Sequence, residues 1–365
     1  MPSPGKEQHS GISQYKGYIS WKITISLILV AIVIVLFGYT LTLGPMDISI
    51  GDTYRILWEH LIGTQYERLS DEWLMDRAVF NVRLPEVLFS LIAGASLAIA
   101  GAAMQSIMNN PLADAYTTGI SSGACFGVAV SMLVGIDVVS SALVGQFSRI
   151  LNAFIFSLIP CMIMVVISKR LDKSPTTMIL AGLALSYFFS GATTFLMLIS
   201  DSEAMQGVYK WQVGSINGLG WDEVPVMAII SVIGMFVIYV MSMRLNVLSA
   251  GDQSARSMGL DVDGLRVMCL VITSLMVASV ITFTGIIGFV GLVCPHIIRM
   301  ITDSDNRFVI PMSGLLGAAM MLAGKGIVSW FDSALTIDMP VGVVLSFIGA
   351  PAFLYLILRR NAHVW

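Results

Sequence analysis

Charge is what this chain has least of. Asp, Glu, Lys and Arg make up 12% of its 365 residues, whereas soluble domains carry about 25%. The shortage is patterned. Ile23–Met46, Val87–Ala113, Ala115–Ile136, Ile150–Ser168, Ser174–Ser200, Val224–Met243, Val267–Ile298, Phe308–Gly324 and Met339–Leu358 contain no charged residue. A helix of about 20 apolar residues crosses a 30 Å hydrocarbon core, so these runs exclude an ordinary soluble fold. Cysteine is scarce as well. Cys125, Cys161, Cys269 and Cys294 lie in apolar runs without metal-ligand spacing, and read as small buried hydrophobes. The net charge is −3 with no basic tail, so nothing points to nucleic acid. No Gly-x-x-x-x-Gly-Lys-Ser/Thr phosphate loop occurs. Gly324-Lys325-Gly326 lacks both the upstream glycine and the following hydroxyl. His296 and Lys325 alone do not make the polar cluster that a membrane enzyme needs.

What is abundant fits a helical bundle in lipid. The chain has 33 glycines and 23 methionines. Glycine lets helices approach closely in a membrane, and methionine fills irregular gaps in a core. The expected fold is all-α and polytopic, with ten transmembrane helices near 23–43, 85–107, 116–136, 150–168, 176–198, 224–243, 267–284, 285–298, 308–330 and 340–358. The span at 285–298 holds Gly285, Gly288, Gly291 and Pro295 and reads as bent or broken.

Lys and Arg set the orientation. With the N-terminus inside, inner segments hold Lys6, Lys16, Lys22, Lys169, Arg170, Lys173, Arg244, Arg256, Arg266, Arg299, Arg307, Arg359 and Arg360. Outer segments hold only Arg55, Arg68, Arg77, Arg83, Arg149 and Lys210. Both termini are therefore expected in the cytoplasm. Residues 1–22 read as an N-terminal tail, 23–360 as a single membrane domain and 361–365 as a C-terminal tail. The outer loop 44–83 contains an amphipathic piece, Ile50–Leu61. Residues 199–223, with Trp211, Gly214, Gly218, Gly220 and Trp221, predict a short helix or re-entrant turn at the outer mouth. The inner segment 244–266 predicts one small helix, capped by Asp252 and ended by Gly259. It reads either as a docking element for a cytoplasmic partner or as a solvated linker. Gly101 to Pro111 and Gly285 to Pro295 share one spacing, compatible with two related halves.

An ordered signature runs along the chain: Arg83-Leu-Pro85, Gly94, Gly101-Ala-Ala-Met-Gln105, Asn110-Pro-Leu-Ala-Asp114 and Gly119-Ile-Ser-Ser-Gly-Ala124. Gly251-Asp252, Ala255-Arg-Ser-Met-Gly259, Gly285 to Arg299, Pro340-Val-Gly342 and Gly349-Ala-Pro351 continue it. It resembles the permeases of bacterial and archaeal binding-protein-dependent ABC importers for iron-siderophore, haem and vitamin B12 complexes. The match covers roughly residues 40–360.

The resemblance implies a type II importer permease of ten helices that forms a homodimer in the cytoplasmic membrane. It implies two copies of a separate ATPase that bind ATP and Mg2+, and an extracytoplasmic binding protein that delivers cargo. This chain would hold no catalytic residue, metal or cofactor. Asp252, Gln253, Arg256 and Gly259 are the ATPase-coupling candidates, with Arg256 expected to meet acidic groups on the ATPase. Gln105, Asn110, Pro111, Asp114, Ser121 and Ser122 are the pathway or gating candidates. Pro111 fits the first turn of a helix, and Gln105 faces protein or the path. Arg55, Arg68, Arg77 and Lys210 are the candidates for docking the binding protein, and Arg149 is a further outward basic group. Arg299 reads as an inner-surface anchor, His296 as a structural hydrogen-bonding group and Asp137 as a solvated helix end.

Three residues depart from the family's pattern. Glu86 stands where a basic residue is usual, Lys325 where an acidic one is common, and Asp338 replaces a glutamate. A buried lysine needs a partner, and charge alone nominates Glu86. An iron chelate comes first as cargo because that class is broad, with corrinoid or haem as alternatives. A secondary transporter working without an ATPase is the competing class, but the paired intramembrane carboxylates it often carries are scarce here.

Overall fold

The structure, a computed structural model, describes the backbone of residues 4–138, 145–170, 175–335, 337 and 339–358. Every regular element among them is helical. The first helix, α1, spans Pro4–Thr42, so residues 4–22 of the expected N-terminal tail are helical and continuous with the first apolar run. Beyond it lie α2 (Ile50–Ile62) and α3 (Asp71–Asp76). Each opens on a serine whose hydroxyl accepts a first-turn amide, Ser49 from Asp52 and Ser70 from Trp73, the usual N-cap device. A left-handed Gly63 (φ 84°) stops α2. A π-helical stretch, Arg77–Arg83, runs from α3 into α4 (Leu84–Met108). The later part of the expected outer loop is thus a continuation of α4.

α4 is the hub, buried along nearly its whole length. Its glycines explain how neighbours reach it. A Cβ on Gly94 would lie 2.3 Å from the carbonyl oxygen of Gly317 in α14 (Asn306–Leu335). One on Gly101 would lie 1.8 Å from that of Gly291 in α13 (Val290–Thr302). Such contacts supply the van der Waals packing that joins helices in lipid. α9 (Glu223–Val240) and α12 (Val262–Thr284) also pack on α4. α5 (Ile120–Ala129) lies on α6 (Gly145–Arg170), with Gly127 against the Asn152 carbonyl. α7 (Pro175–Leu198) covers α5, while α1 and α15 (Val341–Leu358) flank α14. The short helices are α8 (Ser202–Gln212), α10 (Ser242–Ser249) and α11 (Asp252–Ser257).

Among the described residues, seven helices are long and apolar enough to cross a membrane. Three further apolar helices, Ile120–Val134, Val290–Thr302 and Val341–Leu356, are shorter. α13 has 13 residues, a rise of about 20 Å against a 30 Å core. The cause is local. Gly285 (φ 74°) ends α12, and Phe289 (φ 69°) precedes α13 in the left-handed region. The Tyr116 hydroxyl fills the break, donating to the Ile287 carbonyl and accepting from its amide. The expected bend is there, but the helix occupies 290–302 rather than 285–298. The shared Gly-to-Pro spacing has no common local structure. Gly101 is within α4 and Pro111 in a turn, whereas Gly285 is in the break and Pro295 within α13.

Long-range contacts define two ends of the bundle. At the α2 end, Ser333 Oγ of α14 donates to the Gly44 carbonyl at 2.7 Å. At the α11 end, Ser106 Oγ of α4 donates to Asn306 Oδ1 at 2.9 Å.

Candidate coupling face and transmembrane core

α11 is fastened to α12 by two ion pairs of opposite polarity. Gly251 (φ 97°) is the residue that caps α11. Asp252 is therefore its first residue and not its cap, and its carboxylate is taken by Arg266. The two guanidinium nitrogens meet Asp252 Oδ2 and Oδ1 at 2.7 Å each. Arg266 is buried, and its Nε donates to the Ile107 carbonyl at 2.9 Å. In the other sense, Arg256 Nη2 meets Asp263 Oδ1 at 3.0 Å, so the charge expected to seek an acidic partner elsewhere is paired within the chain. Gly259 (φ 82°) ends the segment as expected. Gln253, Ser257 and Met258 are left exposed on its surface. Sequence reasoning missed Arg266. At the start of a charge-free run it reads like any positive anchor.

A second buried cluster closes the α11 end. Arg299 is not a surface anchor: it is 2% exposed, and Nη2 donates to the Ala102 carbonyl, Ser106 Oγ and Asn306 Oδ1 at 3.2, 2.8 and 3.2 Å. Asn246 Nδ2 donates to Asp305 Oδ1 at 2.7 Å, and Asn306 N to Asn246 Oδ1 at 2.7 Å. Burial pushes the Asp305 carboxyl up, but hydrogen bonds from Arg307 and Asn246 outweigh it and hold the group at about 2. His296 is buried edge-on to Phe353, with ring centroids 5.8 Å apart.

The pathway candidates divide by exposure. Gln105 faces protein: it is fully buried and Nε2 donates to the Leu292 carbonyl at 3.3 Å. Asp114 and Ser121 are buried too. Asn110, Pro111 and Ser122 are part-exposed in the single chain. Asn110 Oδ1 accepts from Leu112 N at 2.9 Å, and Pro111 belongs to that turn instead of a helical first turn.

At the α2 end Glu86 and Lys325 meet. Lys325 Nζ lies 2.7 Å from Glu86 Oε2, with both side chains nearly buried. Lys325 also donates to Asn217 Oδ1 at 2.8 Å, and Glu86 Oε1 accepts from Gly218 N at 2.7 Å. Charge nominated the pair, but nothing in the sequence pointed to Asn217. A cavity of about 290 Å³ beside it is lined by Thr40, Arg83, Asn217 and Asp332 among others. Arg83 is buried instead of facing outward, and donates to the carbonyls of Thr42 and Met46. Asp338 lies outside the described residues, as do Lys173, Arg359, Arg360 and the segment 361–365; the side chains of Lys6, Lys16, Lys169 and Arg170 do so too.

Arg55, Arg68, Arg77 and Lys210 are all exposed. Arg55 pairs with Asp52 at 3.0 Å, and Arg77 stands over the Trp73 ring, 4.9 Å from its centroid. Arg149 lines a separate cavity with Trp211 and Glu223. Asp137 is not merely solvated, because it accepts from Ser131 Oγ at 2.6 Å. Among the described residues, no group of three or more His, Cys, Asp or Glu is placed to hold a metal ion.

A glycine-closed helical bundle with broken crossings and one short helix braced at its end defines a polytopic membrane permease. The chain belongs to the FecCD transport family, whose model matches residues 29–359. The cobalamin import system permease protein of Halobacterium salinarum is 34% identical over 78% of this chain and 74% of its own. The Fe(3+)-citrate import system permease protein of Bacillus subtilis is 32% identical, over 90% of this chain and 93% of its own. The hemin transport system permease protein of Yersinia pestis is 29% identical, over 94% and 98%. A solved structure described as an inward-facing conformation of a metal-chelate type ABC transporter superposes with a TM-score of 0.78. It is 25% identical and covers 92% of this chain and 99% of that one.

The chain is thus a permease subunit of a multi-subunit ABC importer of the metal-chelate type. ATP hydrolysis takes place in a separate ATPase partner, which binds the ATP and Mg2+, and a substrate-binding protein completes the system.

Proposed function

We propose that this permease imports a bulky metal chelate, with corrinoid or haem ahead of ferric siderophore. Breadth of class alone put the iron chelate first, and the relatives do not support that ranking. Those relatives are named for cobalamin, hemin and Fe(3+)-citrate. In this reading, residues 23–360 form one membrane domain with ten crossings, of which α13, α15 and the helix containing α5 are short. The α11 end and both termini face the cytoplasm, and the α2 end faces outward.

The observation that carries the reading is α11 itself, short, exposed and cross-braced to α12. It presents Gln253, Ser257 and Met258 to the ATPase, with Asp252, Arg256 and Gly259 fixing its pose. Arg55, Arg68, Arg77 and Lys210 offer positive charge to the binding protein. A homodimer is supported by α7, which exposes Leu180, Tyr187, Phe188 and Phe195 and has open space around Gly191. ATP binding and hydrolysis move the docked helices, and the bundles alternate between outward and inward access. Only differential affinity of the partners for the two states can drive that change.

The test is ATP hydrolysis by the purified permease–ATPase complex, read with binding protein loaded in turn with cobalamin, hemin and ferric siderophore. Stimulation by cobalamin or hemin supports the cargo assigned here. Stimulation by ferric siderophore alone overturns it, and failure of the permease to copurify with an ATPase overturns the role of α11.

A further inference from the structure

We propose that Arg266 is the residue that transmits movement of α11 into the bundle. This rests on the reading of α11 as the helix that meets the ATPase. Arg266 joins three elements at once. It stands in the first turns of α12, takes both carboxylate oxygens of Asp252 on α11 at 2.7 Å, and gives Nε to the Ile107 carbonyl at 2.9 Å. That carbonyl belongs to the last turn of α4, where helix carbonyls lack partners of their own.

The geometry suits transmission. A guanidinium holds a carboxylate through two parallel bonds, so the pair has a fixed orientation as well as a fixed distance. With Arg266 1% exposed, water cannot replace a partner that moves away, and a buried donor left unmade is costly. A tilt of α11 therefore turns the guanidinium, and the end of α4 follows. α4 ends at Met108, Asn109 takes φ 45°, and the chain enters the Asn110–Asp114 turn. Two of the pathway candidates, Asn110 and Pro111, lie part-exposed in that turn. The second brace, Arg256 with Asp263, is half-exposed at the arginine and joins α11 to α12. It holds α11 in place, whereas Arg266 reaches the hub. Lysine would not substitute, because a single ammonium cannot hold both carboxylate oxygens and the Ile107 carbonyl in one plane.

Spatial contiguity alone does not demonstrate coupling, so the test measures it. Permease and ATPase are reconstituted in proteoliposomes with binding protein carrying cobalamin, hemin or ferric citrate, whichever the wild type takes up. The readout is cargo moved per ATP hydrolysed. A coupling free energy of ordinary size corresponds to roughly 5–150-fold. Arg266→Gln is expected to lower the ratio about tenfold and Arg266→Lys about threefold, on that same scale. Asp252→Asn should lower it in the same direction, and the Asp252→Asn/Arg266→Gln double variant should be no worse than Arg266→Gln alone. An unchanged ratio in assembled variants, or losses that multiply in the double variant, would overturn the proposal. Where Arg266→Gln does not assemble, Arg266→Lys and Asp252→Asn carry the same comparison. A wild-type chain that neither binds the ATPase nor supports hydrolysis would instead defeat the reading of α11.

Discussion

At the scale of single residues, the molecule places its charges where lipid would punish them and then pairs them. Lys325 and Glu86 are both buried, and they stand together at 2.7 Å. Removing one member of such a pair leaves an uncompensated buried charge, at a cost of about 3–5 kcal/mol. Lys325→Met should therefore lower the thermal midpoint in detergent and abolish uptake. Adding Glu86→Gln should recover much of both, since glutamine still accepts the Gly218 amide. A double variant no better than Lys325→Met would break this account. Asp305 makes a separate prediction. Its folded pKa is depressed to about 2 from 3.8, so its contribution is complete above about pH 4 and disappears as pH falls through about 2. Asp305→Asn should flatten the fall in thermal midpoint over that interval. An unchanged acid profile would show that the Asn246 and Arg307 contacts do not matter to folding.

At the scale of helices, packing depends on where backbones touch. Gly101 has no room for a methyl group, because its Cβ would fall 1.8 Å from the Gly291 oxygen, whereas Gly191 has nothing within 4 Å. Gly101→Ala should force α4 and α13 apart at a cost of about 1–3 kcal/mol or more. Gly191→Ala should leave the stability of the solubilised chain within about 0.5 kcal/mol of wild type, and so its thermal midpoint nearly unchanged. Equal midpoints for the two variants would contradict the assignment of α4 as hub.

The same scale shows what the sequence made legible. Among the described residues, charge-free runs located seven helices long and apolar enough to cross a membrane and three shorter ones, because exclusion of charge follows directly from the cost of hydrocarbon burial. The amphipathic α2 and the glycine-ended α11 were equally readable from local pattern. Arg83, Arg266 and Arg299 were not. Each borders an apolar run, where a snorkelling anchor and a buried tether have the same local sequence. Each of them also holds a main-chain carbonyl, that of Thr42, Ile107 or Ala102, and a carbonyl carries no residue-type signal. The break before α13 was visible in its glycines, but the Tyr116 hydroxyl that fills it comes from far along the chain.

At the scale of the whole molecule, the two ends differ in chemistry. The α2 end carries exposed basic residues on α2, on α8 and on either side of α3, while the α11 end carries the braced helix and the buried Arg299 cluster. Between them α4 touches both the Lys325 pair and the Arg266 tether, through Glu86 near its start and Ile107 near its end. In the mechanism proposed above, that contact with both ends lets a change driven at one face be felt at the other. The whole assembly is needed to see it. ATP-driven uptake into proteoliposomes holding the permease and its ATPase, offered binding protein loaded with cobalamin, hemin or ferric siderophore, is the most direct test. The account expects ATP-dependent accumulation of cobalamin or hemin and none without the binding protein. Uptake that continues without ATP or without the ATPase would contradict it.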